Sequence, residues 1–392
     1  CSSMALNFDL TEEQNLLRPA VRDFAERDIA PLAEELDEKE EVSVALTRKM
    51  GELGLLGCFV PMRYGGSEMG YTASASAVEE LARVDGSQAA TIAAGNSLGI
   101  GPIYYYGTDE QREEWLPRLC SGEMLAAFGL TEPNAGSDAA ASRTRAELEG
   151  DHWVINGSKI FITNAANPLT GVVIVQAVTG EEGRGKPELS CLIVPRDAPG
   201  FTAREMKKKM MWRASNTAEL FFEDCVVPKE NLLGKRGDGF QQMLSTLDGG
   251  RLSIAAMGLG GAQGAFDMAL EYANSRVQFG RPIASFQTIA FKLADMATEI
   301  ELARNLLYKA CWLRDENRRF SKEAAMAKLN CSEVMHRCVD HAVQIHGGYG
   351  LMKEYKIERF YRDQRLLEIG EGTSEIQRIV IARNIGAVGR AI

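Results

Sequence analysis

The chain has 392 residues and a mass of 42.9 kDa, enough for two or three domains with sizeable cores. Its 45% hydrophobic and 25% charged residues are typical of a globular protein. A net charge of −10 and a pI near 5.2 argue against nucleic acid as a main partner. No run of 18 apolar residues predicts a membrane-spanning helix, so we expect no integral membrane contact.

The first third of the chain, residues 1–124, is predicted to be a helical domain. Thr11-Glu12-Glu13-Gln14 has the pattern of a capping box, and apolar residues follow it at helical spacing. Further amphipathic segments cover about 42–54, 71–84, 87–105 and 109–120.

The middle third, residues 125–235, is predicted to be a β domain, either a small barrel or a sandwich. Short runs of β-branched and aromatic residues alternate with turn residues, as at 153–155, 160–163, 172–175, 192–194 and 220–222. Asn156-Gly157 predicts a hairpin between the first two runs.

Helical periodicity returns in the last third, residues 236–392. Segments near 239–276, 284–315, 321–346 and 372–390 are long enough for a four-helix bundle. The fold class is therefore α+β multi-domain and mainly α, and the block order argues against a doubly wound parallel sheet. The glycine-rich stretch 258–264 follows no strand, so we interpret it as close helix packing and not as a dinucleotide fingerprint.

The cysteine and histidine patterns suggest a reducing compartment and no metal site. The eight cysteines form no Cys-x-x-Cys pair and lie in apolar contexts, which predicts reduced core residues in a bacterial cytoplasm or a mitochondrial matrix. His336, His341 and His346 recur every five residues, which spreads them around a helix.

Two segments of the β domain carry groups suited to a flat polar ligand. The loop from Phe128 to Asp138 is rich in hydroxyls and backbone amides, although it also resembles an ordinary Gly/Pro/Asn loop. Phe161 and Thr163 lie two apart on a predicted strand and so share a face, where they could stack on a ring and bond to its edge. An aromatic core strand is the competing interpretation.

Two segments of the last third suggest phosphate contacts. Arg276 and Arg281 lie around a Gly-Pro turn, with Phe286 and Gln287 beyond it, which suggests a pyrophosphate clamp or only a solvated helix end. The glycine-rich turn of residues 344–350 could admit a phosphate or an adenosine edge, or could simply cap a helix.

The segment from Leu366 to Arg383 is the most informative. Glu371 lies between Gly370 and Gly372, where the backbone can turn tightly and a ligand can approach, and Thr373 can cap the helix that follows. An ordinary surface glutamate at a helix entry is the alternative.

Taken in order, five motifs resemble the fingerprints of the acyl-CoA dehydrogenase family. They are TEPNAGSD, FITN, RVQFGRPI, QIHGGYG and EGTSEIQR, and the resemblance runs from about residue 8 to the end. It implies a helical, a β and a four-helix-bundle domain, one FAD per subunit, and a homotetramer in which FAD is shared between subunits. It also implies α,β-desaturation of an acyl-CoA in fatty-acid β-oxidation, with an electron-transferring flavoprotein as acceptor.

The resemblance assigns roles by matched position. Glu371 corresponds to the base that removes the α-proton, while the β-hydrogen passes as hydride to flavin N5. Its backbone N–H and a ribityl hydroxyl of FAD correspond to the donors on the thioester oxygen. The positions that resemble cofactor contacts are Phe128, Leu130, Thr131, Gly136, Ser137, Phe161, Thr163, Arg276, Gln278, Phe279, Phe286, Gln287, Gln344, Gly347, Gly348, Thr373 and Glu375. Those that resemble substrate contacts are Ser137, Leu247, Asp248, Arg251, Gly372 and Arg383.

Three points qualify the match. Phe161 stands where many members have Trp, and Glu375 where many have Gln. Some members place the base on the helix near residue 250, but Gly250 occupies that position here, which leaves Asp248 as the next candidate after Glu371. We expect burial to raise the pKa of Glu371 toward the working pH.

The acyl group is predicted to be short, branched or alicyclic. Small residues dominate 89–101, while Tyr104, Tyr105 and Tyr106 could limit the depth of a pocket. No arginine lies in that stretch, which counts against a dicarboxylic acyl group. The alternatives to a dehydrogenase are an acyl-CoA oxidase that uses O2 and a non-catalytic CoA-binding paralogue.

Overall fold

A computed structural model describes residues 10–183 and 185–387. Helices form the first part of the chain, and Thr11 and Gln14 make the predicted capping box. Two stretches of wider, π-helical winding interrupt these helices, at Ala25–Ile29 and Gly95–Ile100. The α-helices are α1 Glu12–Phe24, α2 Ala33–Lys39, α3 Val44–Glu52, α4 Gly70–Ala82, α5 Gly86–Ala94, α6 Gly101–Tyr106 and α7 Asp109–Cys120.

Strands follow, and eight of them form one mixed sheet. They are β1 Leu125–Gly129, β2 Arg145–Glu149, β3 His152–Thr163, β4 Thr170–Glu182, β5 Lys186–Pro195, β6 Phe201–Glu205, β7 Thr217–Pro228 and β8 Leu232–Leu233. The order is β6-β7-β3-β2-β4-β5-β8, and β1 pairs with β4 in parallel. The predicted runs at 172–175, 192–194 and 220–222 all lie within these strands.

The hairpin predicted at Asn156-Gly157 is wrong. Strand β3 continues through both residues, and the pairing with β7 shifts register between Ile155 and Gly157. The Asn156 side chain accepts a hydrogen bond from the backbone of Asp224 on β7 and donates one to its carboxylate. Cross-strand bonds therefore satisfy the asparagine without a turn, and Gly157 accommodates the irregularity with a φ of 145°.

Long helices make up the last part of the chain. They are α8 Gly239–Ser275, α9 Gln287–Asp315, α10 Ser321–His346, the short α11 Ile357–Asp363, and α12 Ser374–Asn384. A two-stranded hairpin, β9 Val277–Gln278 with β10 Arg281–Pro282, joins α8 to α9. The last helix is predicted to end at residue 390, and residues 388–390 lie outside the described part of the chain.

The glycine-rich stretch 258–264 lies inside α8, which confirms packing as its role. A Cβ on Gly260 or Gly264 would lie 2.1–2.2 Å from the backbone oxygens of Glu79 and Arg83, so only glycine lets these helices approach. One apolar core consequently joins the N-terminal helices to the C-terminal helices, and a second fills the β domain.

Two further findings concern composition. Among the described residues, no helix is both long and apolar enough to cross a lipid bilayer. Seven cysteines are buried and unpaired, namely Cys58, Cys120, Cys191, Cys225, Cys311, Cys331 and Cys338. The eighth, Cys1, lies outside the described residues.

Candidate active site

Glu371 lies in a left-handed turn between a short 3-10 helix, Gln364–Glu368, and helix α12. Its φ is 51° and that of Gly372 is 90°, a conformation that is uncommon for a residue with a side chain. Thr373 then caps α12, because its hydroxyl accepts a hydrogen bond of 3.3 Å from the amide of Ile376. The turn and the cap are those expected from the glycines and the threonine.

The carboxylate of Glu371 lies against helix α8 at Gly250. A Cβ built on Gly250 would fall 1.7 Å from Oε2 of Glu371, so only a residue without a side chain leaves this space open. That oxygen is shielded from solvent and accepts no hydrogen bond from any described residue. An enclosed carboxylate oxygen without a donor is available to take a proton.

The charges around Glu371 fit a general base. Burial raises the pKa of Glu371 to about 7, against the opposing positive charges of Lys328 and Arg251. The raised pKa confirms the expectation from the sequence. A carboxylate with a pKa near neutrality can both take up and release a proton at ordinary pH.

The rival base, Asp248, is already engaged. Its two oxygens accept hydrogen bonds from the buried Arg251 and from Ser321. These bonds occupy both carboxylate oxygens and leave them poorly placed to accept a proton from carbon. Of the other predicted substrate contacts, Leu247 is half-buried on the same helix, and Arg383 is exposed on α12.

A loop after β1 carries the first group of predicted cofactor contacts. Phe128 is buried in β1, Leu130 and Thr131 are half-buried, and Gly136 and Ser137 are exposed. Glu132 anchors the loop from beneath, because its carboxylate accepts hydrogen bonds from Ser142, Arg143, Thr144 and Lys159. The exposed part of the loop thus stands on a rigid, buried base.

Phe161 and Thr163 lie at the end of β3, and this end of the strand is hydrogen-bonded to the loop. Ile160 donates its amide to the carbonyl of Thr131 at 2.9 Å, which ties strand to loop. Phe161 has a φ of 62° and is 62% exposed, two features that are unfavourable for a phenylalanine. A strained and exposed aromatic ring is consistent with a surface that contacts a ligand.

Four other predicted cofactor contacts, Arg276, Gln278, Gly347 and Gly348, line a cavity between the C-terminal helices, whereas Thr373 and Glu375 lie at the start of α12. The cavity has a volume of about 500 Å³. It is lined by Tyr272, Arg276, Gln278, Ile283, Ile345, His346, Gly347, Gly348, Tyr349 and Met352. Gln344 is exposed at the end of α10, and Phe286 and Gln287 follow the β9–β10 hairpin. No residue of the β domain or of the Glu371 turn lines this cavity.

The two clusters fit the two halves of FAD. The guanidinium of Arg276 lies 5.6 Å from the ring centre of Tyr349, and a Cβ on Gly347 or Gly348 would have no atom within 4 Å. A cation beside bare backbone suits a pyrophosphate, whereas Phe161 and Thr163 suit an aromatic ring. The described residues contain no cluster of three His, Cys, Asp or Glu side chains placed for a metal ion.

Sequence reasoning missed three residues near the site. Lys328 and Gln377 are fully buried beneath the Glu371 turn and donate to its carbonyls. Arg314, from α9, stacks over Tyr71 at 3.8 Å and lies 5.3 Å from the ring centre of Tyr105. The absence of arginine from 89–101 therefore does not exclude a cation near that helix. The sequence gives no local motif for these three residues, and only their burial in the fold identifies them.

Comparison with known proteins agrees with this geometry. Three acyl-CoA dehydrogenase domain models match, the N-terminal at residues 11–123, the middle at 127–225 and the C-terminal at 237–386. A probable acyl-CoA dehydrogenase of Bacillus subtilis is 55% identical over 97% of this chain and 100% of its own.

Two solved structures have the same fold over nearly their whole length. Butyryl-CoA dehydrogenase from Megasphaera elsdenii has a TM-score of 0.94 and 42% identity, over 97% of this chain and 100% of its own. A chain from a study of the electron transferring flavoprotein of Acidaminococcus fermentans has a TM-score of 0.94 and 44% identity, covering 97% and 99%. The chain therefore belongs to the acyl-CoA dehydrogenase family of FAD-dependent oxidoreductases that act on CH–CH bonds.

Proposed function

We propose that the chain desaturates a short-chain acyl-CoA thioester between its α and β carbons, with Glu371 as the base. The observation that carries the proposal is the enclosed carboxylate of Glu371, which has one oxygen without a donor and a pKa raised to about 7. Bound FAD would supply the acceptor for the β-hydrogen.

The residues of the chain perform the proton transfer and hold the substrate. The proton of the α C–H bond passes to Glu371, and the electron pair of that bond stays on the substrate. A thioester α-carbon is a weak acid, so donors must stabilise the negative charge that develops on the thioester oxygen. Among the described residues, no backbone carbonyl accepts a hydrogen bond from the amide of Glu371, so the left-handed turn leaves that amide available for this purpose.

Replacement of the base tests the assignment. We expect Glu371→Gln to keep the yellow colour of bound FAD and to bind acyl-CoA, while substrate-driven bleaching slows by about 10²–10⁴-fold, the usual contribution of a general base. Asp248→Asn is the matched comparison and should retain a pH profile set by Glu371. Unchanged bleaching in Glu371→Gln would assign the base elsewhere.

We infer a short acyl chain for two reasons. The protein from Megasphaera elsdenii is a butyryl-CoA dehydrogenase, and at residues 95–99 helix winding and backbone contacts restrict the space. A Cβ on Gly95 or Gly99 would lie within 3.1 Å of Leu56 or Ala126. A panel of straight, branched, alicyclic and dicarboxylic acyl-CoA thioesters, compared by kcat/KM for bleaching, tests this choice. A preference for a branched or alicyclic thioester would contradict it.

We infer an electron-transferring flavoprotein as the acceptor, since the A. fermentans structure concerns such a protein. An oxidase would instead reoxidise rapidly in air after reduction by substrate. Stopped-flow reoxidation, with and without an electron-transferring flavoprotein, distinguishes the two. We expect slow reoxidation by oxygen alone.

We propose a homotetramer in which a second subunit covers the Arg276 cavity. Phe279 is 94% exposed at the tip of the β9–β10 hairpin, and Val277, Leu351 and Met352 are exposed near the same cavity. Exposed apolar patches mark interfaces. Sedimentation at several concentrations measures the state, and Phe279→Ser should shift it toward smaller species that lose FAD. We also propose domain limits of 1–124, 125–235 and 236–392, which fall in the turns between helices and strands.

A further inference from the structure

Lys328 is a fully buried lysine in the middle of helix α10. Its exposed fraction is 0%, and its ammonium donates a hydrogen bond of 2.7 Å to the carbonyl of Gly372. It makes no salt bridge, within 4.0 Å, to a carboxylate of the described residues. Lysines are almost never fully buried without a charged partner. Such a position therefore calls for a functional explanation.

The hydrogen bond fixes the backbone that carries the proposed base. Gln377, also fully buried, donates at 2.9 Å to the same carbonyl of Gly372 and at 3.3 Å to the carbonyl of Glu371. Two buried donors thus orient both carbonyls of the left-handed turn. The conformation is unfavourable for a glutamate, so it requires this support.

Two other charged groups near the Glu371 turn already have partners. On α8, Arg251 is paired with Asp248. On the turn before Glu371, Glu368 is paired with His336 and Arg365.

The remaining carboxylate on the adjoining helix is Glu375, which is exposed to solvent at the start of α12. Its charge is screened there and competes weakly for a buried ammonium. Lys328 is therefore a buried cation that makes no salt bridge among the described residues, and its charge can serve as the counterion of Glu371.

We propose that Lys328 is a positioning residue for the base: it fixes the Gly372 carbonyl, and its charge keeps the Glu371 carboxylate ionised before proton transfer. The inference rests on the proposed role of Glu371. When the α-proton moves to Glu371, the negative charge moves to the substrate, and the ammonium still offsets it. The Lys328 ammonium thus stabilises the ionised carboxylate of Glu371 before proton transfer and the negative charge that develops on the substrate during it.

The titration of both groups agrees with this arrangement. Burial raises the pKa of Glu371 to about 7, and Lys328 is the first opposing influence. Burial lowers the pKa of Lys328 to about 8, and Glu371 is the first influence that raises it. Each charge therefore supports the ionised form of the other.

The test separates charge from hydrogen bonding with three variants of the FAD-loaded enzyme. Lys328→Met removes both the charge and the donor, Lys328→Gln removes the charge but keeps a donor, and Gln377→Leu removes a neutral donor. The measurement is the pH dependence of kcat/KM for substrate-driven flavin bleaching, with the flavin spectrum as a check on folding.

We expect both Lys328 variants to move the acid limb of the profile upward by about one pH unit or more, which is a tenfold loss of rate below that limb. Gln377→Leu should lower the rate while the limb stays in place. If Lys328→Met does not fold, Lys328→Gln alone decides the question.

Two results would overturn the inference. One is a Lys328→Gln enzyme with the wild-type pH profile, and the other is a Gln377→Leu enzyme whose limb moves as far. Glu371→Gln distinguishes this failure from a failure of the proposed function. An inactive Glu371→Gln enzyme beside unchanged Lys328 variants removes only the role of Lys328, whereas an active one removes the base itself.

Discussion

Two glutamate carboxylates, each with a buried lysine nearby, behave in opposite ways. In the β domain, Lys159 contacts Glu132 directly at 2.7 Å, and three further donors bind the same carboxylate. In the C-terminal domain, Lys328 binds a backbone carbonyl beside Glu371 and leaves Oε2 without a donor. The same two residue types therefore form a structural ion pair in one place and a proposed catalytic group in the other.

The pKa values follow from that difference in contact. Burial by itself would raise the pKa of Glu132, but Lys159 and the hydrogen bonds from Ser142 and Arg143 outweigh it and bring the pKa to about 2. At Glu371, burial dominates and the pKa rises to about 7. Direct contact with the lysine, together with hydrogen bonds to the charged form, lowers the pKa of Glu132, whereas Glu371 has no such contact and keeps a raised pKa.

Breaking the structural pair should have the largest effect on stability. Glu132→Ala leaves the Lys159 ammonium buried and unpaired, and we expect a loss of about 3–5 kcal/mol in the free energy of unfolding. Urea unfolding followed by circular dichroism measures the loss. Lys159→Met added to Glu132→Ala should recover part of it, since no charge then remains buried. A loss below 1 kcal/mol would mean that solvent reaches this pair.

Neutralising the proposed base should increase the free energy of unfolding instead of lowering it. The folded-state pKa of Glu371 is raised, so its neutral form is favoured in the folded protein, and ionisation costs stability as the pH rises through about 7. Glu371→Gln stays neutral. We therefore expect it to be more stable than wild type by about 1–3 kcal/mol above pH 7, with a difference that disappears near pH 4.

The matched measurement is the free energy of unfolding of Glu132→Gln over the same pH range. The pKa of Glu132 is lowered, so its stabilising contribution is present above the unfolded pKa and is lost as the pH falls toward about 2. The two variants should thus change in opposite directions relative to wild type at pH 8. Equal signs would show that burial, and not pairing, controls both sites.

Local sequence signals predicted the elements of both sites but not their charge environment. Thr11 and Thr373 cap helices as expected, and the glycines around Glu371 allow the turn that they suggested. These features depend on residues three or four apart, so a sequence displays them directly.

Long-range contacts account for what the sequence could not predict. Lys328 is 44 residues from Gly372, and Lys159 is 27 residues from Glu132. Asn156-Gly157 satisfied every local rule for a hairpin, yet the neighbouring strand supplied Asp224 at 68 residues' separation and kept β3 continuous. The strained φ of Phe161 has the same origin, because the register shift against β7 is set by the partner strand.

The smallest expected effect concerns the space that keeps Glu371 free. Gly250→Ala places a methyl group where Oε2 now lies, so the carboxylate must move away from α8. We expect bleaching to slow by about 10- to 100-fold, as a displacement near 1 Å can cause, while the helix gains up to about 1 kcal/mol from alanine.

Gly249→Ala is the control, because the nearest atoms to its Cβ would belong to the guanidinium of Arg314, at 3.1 Å, and none to Glu371. It offers the same gain in helix propensity without touching the base. A slow Gly250→Ala enzyme beside a normal Gly249→Ala enzyme would place the cause at the carboxylate. Equal rates would mean that the Glu371 side chain can move without loss of activity. Its reactivity would then depend more on the neighbouring charges than on the space beside Gly250.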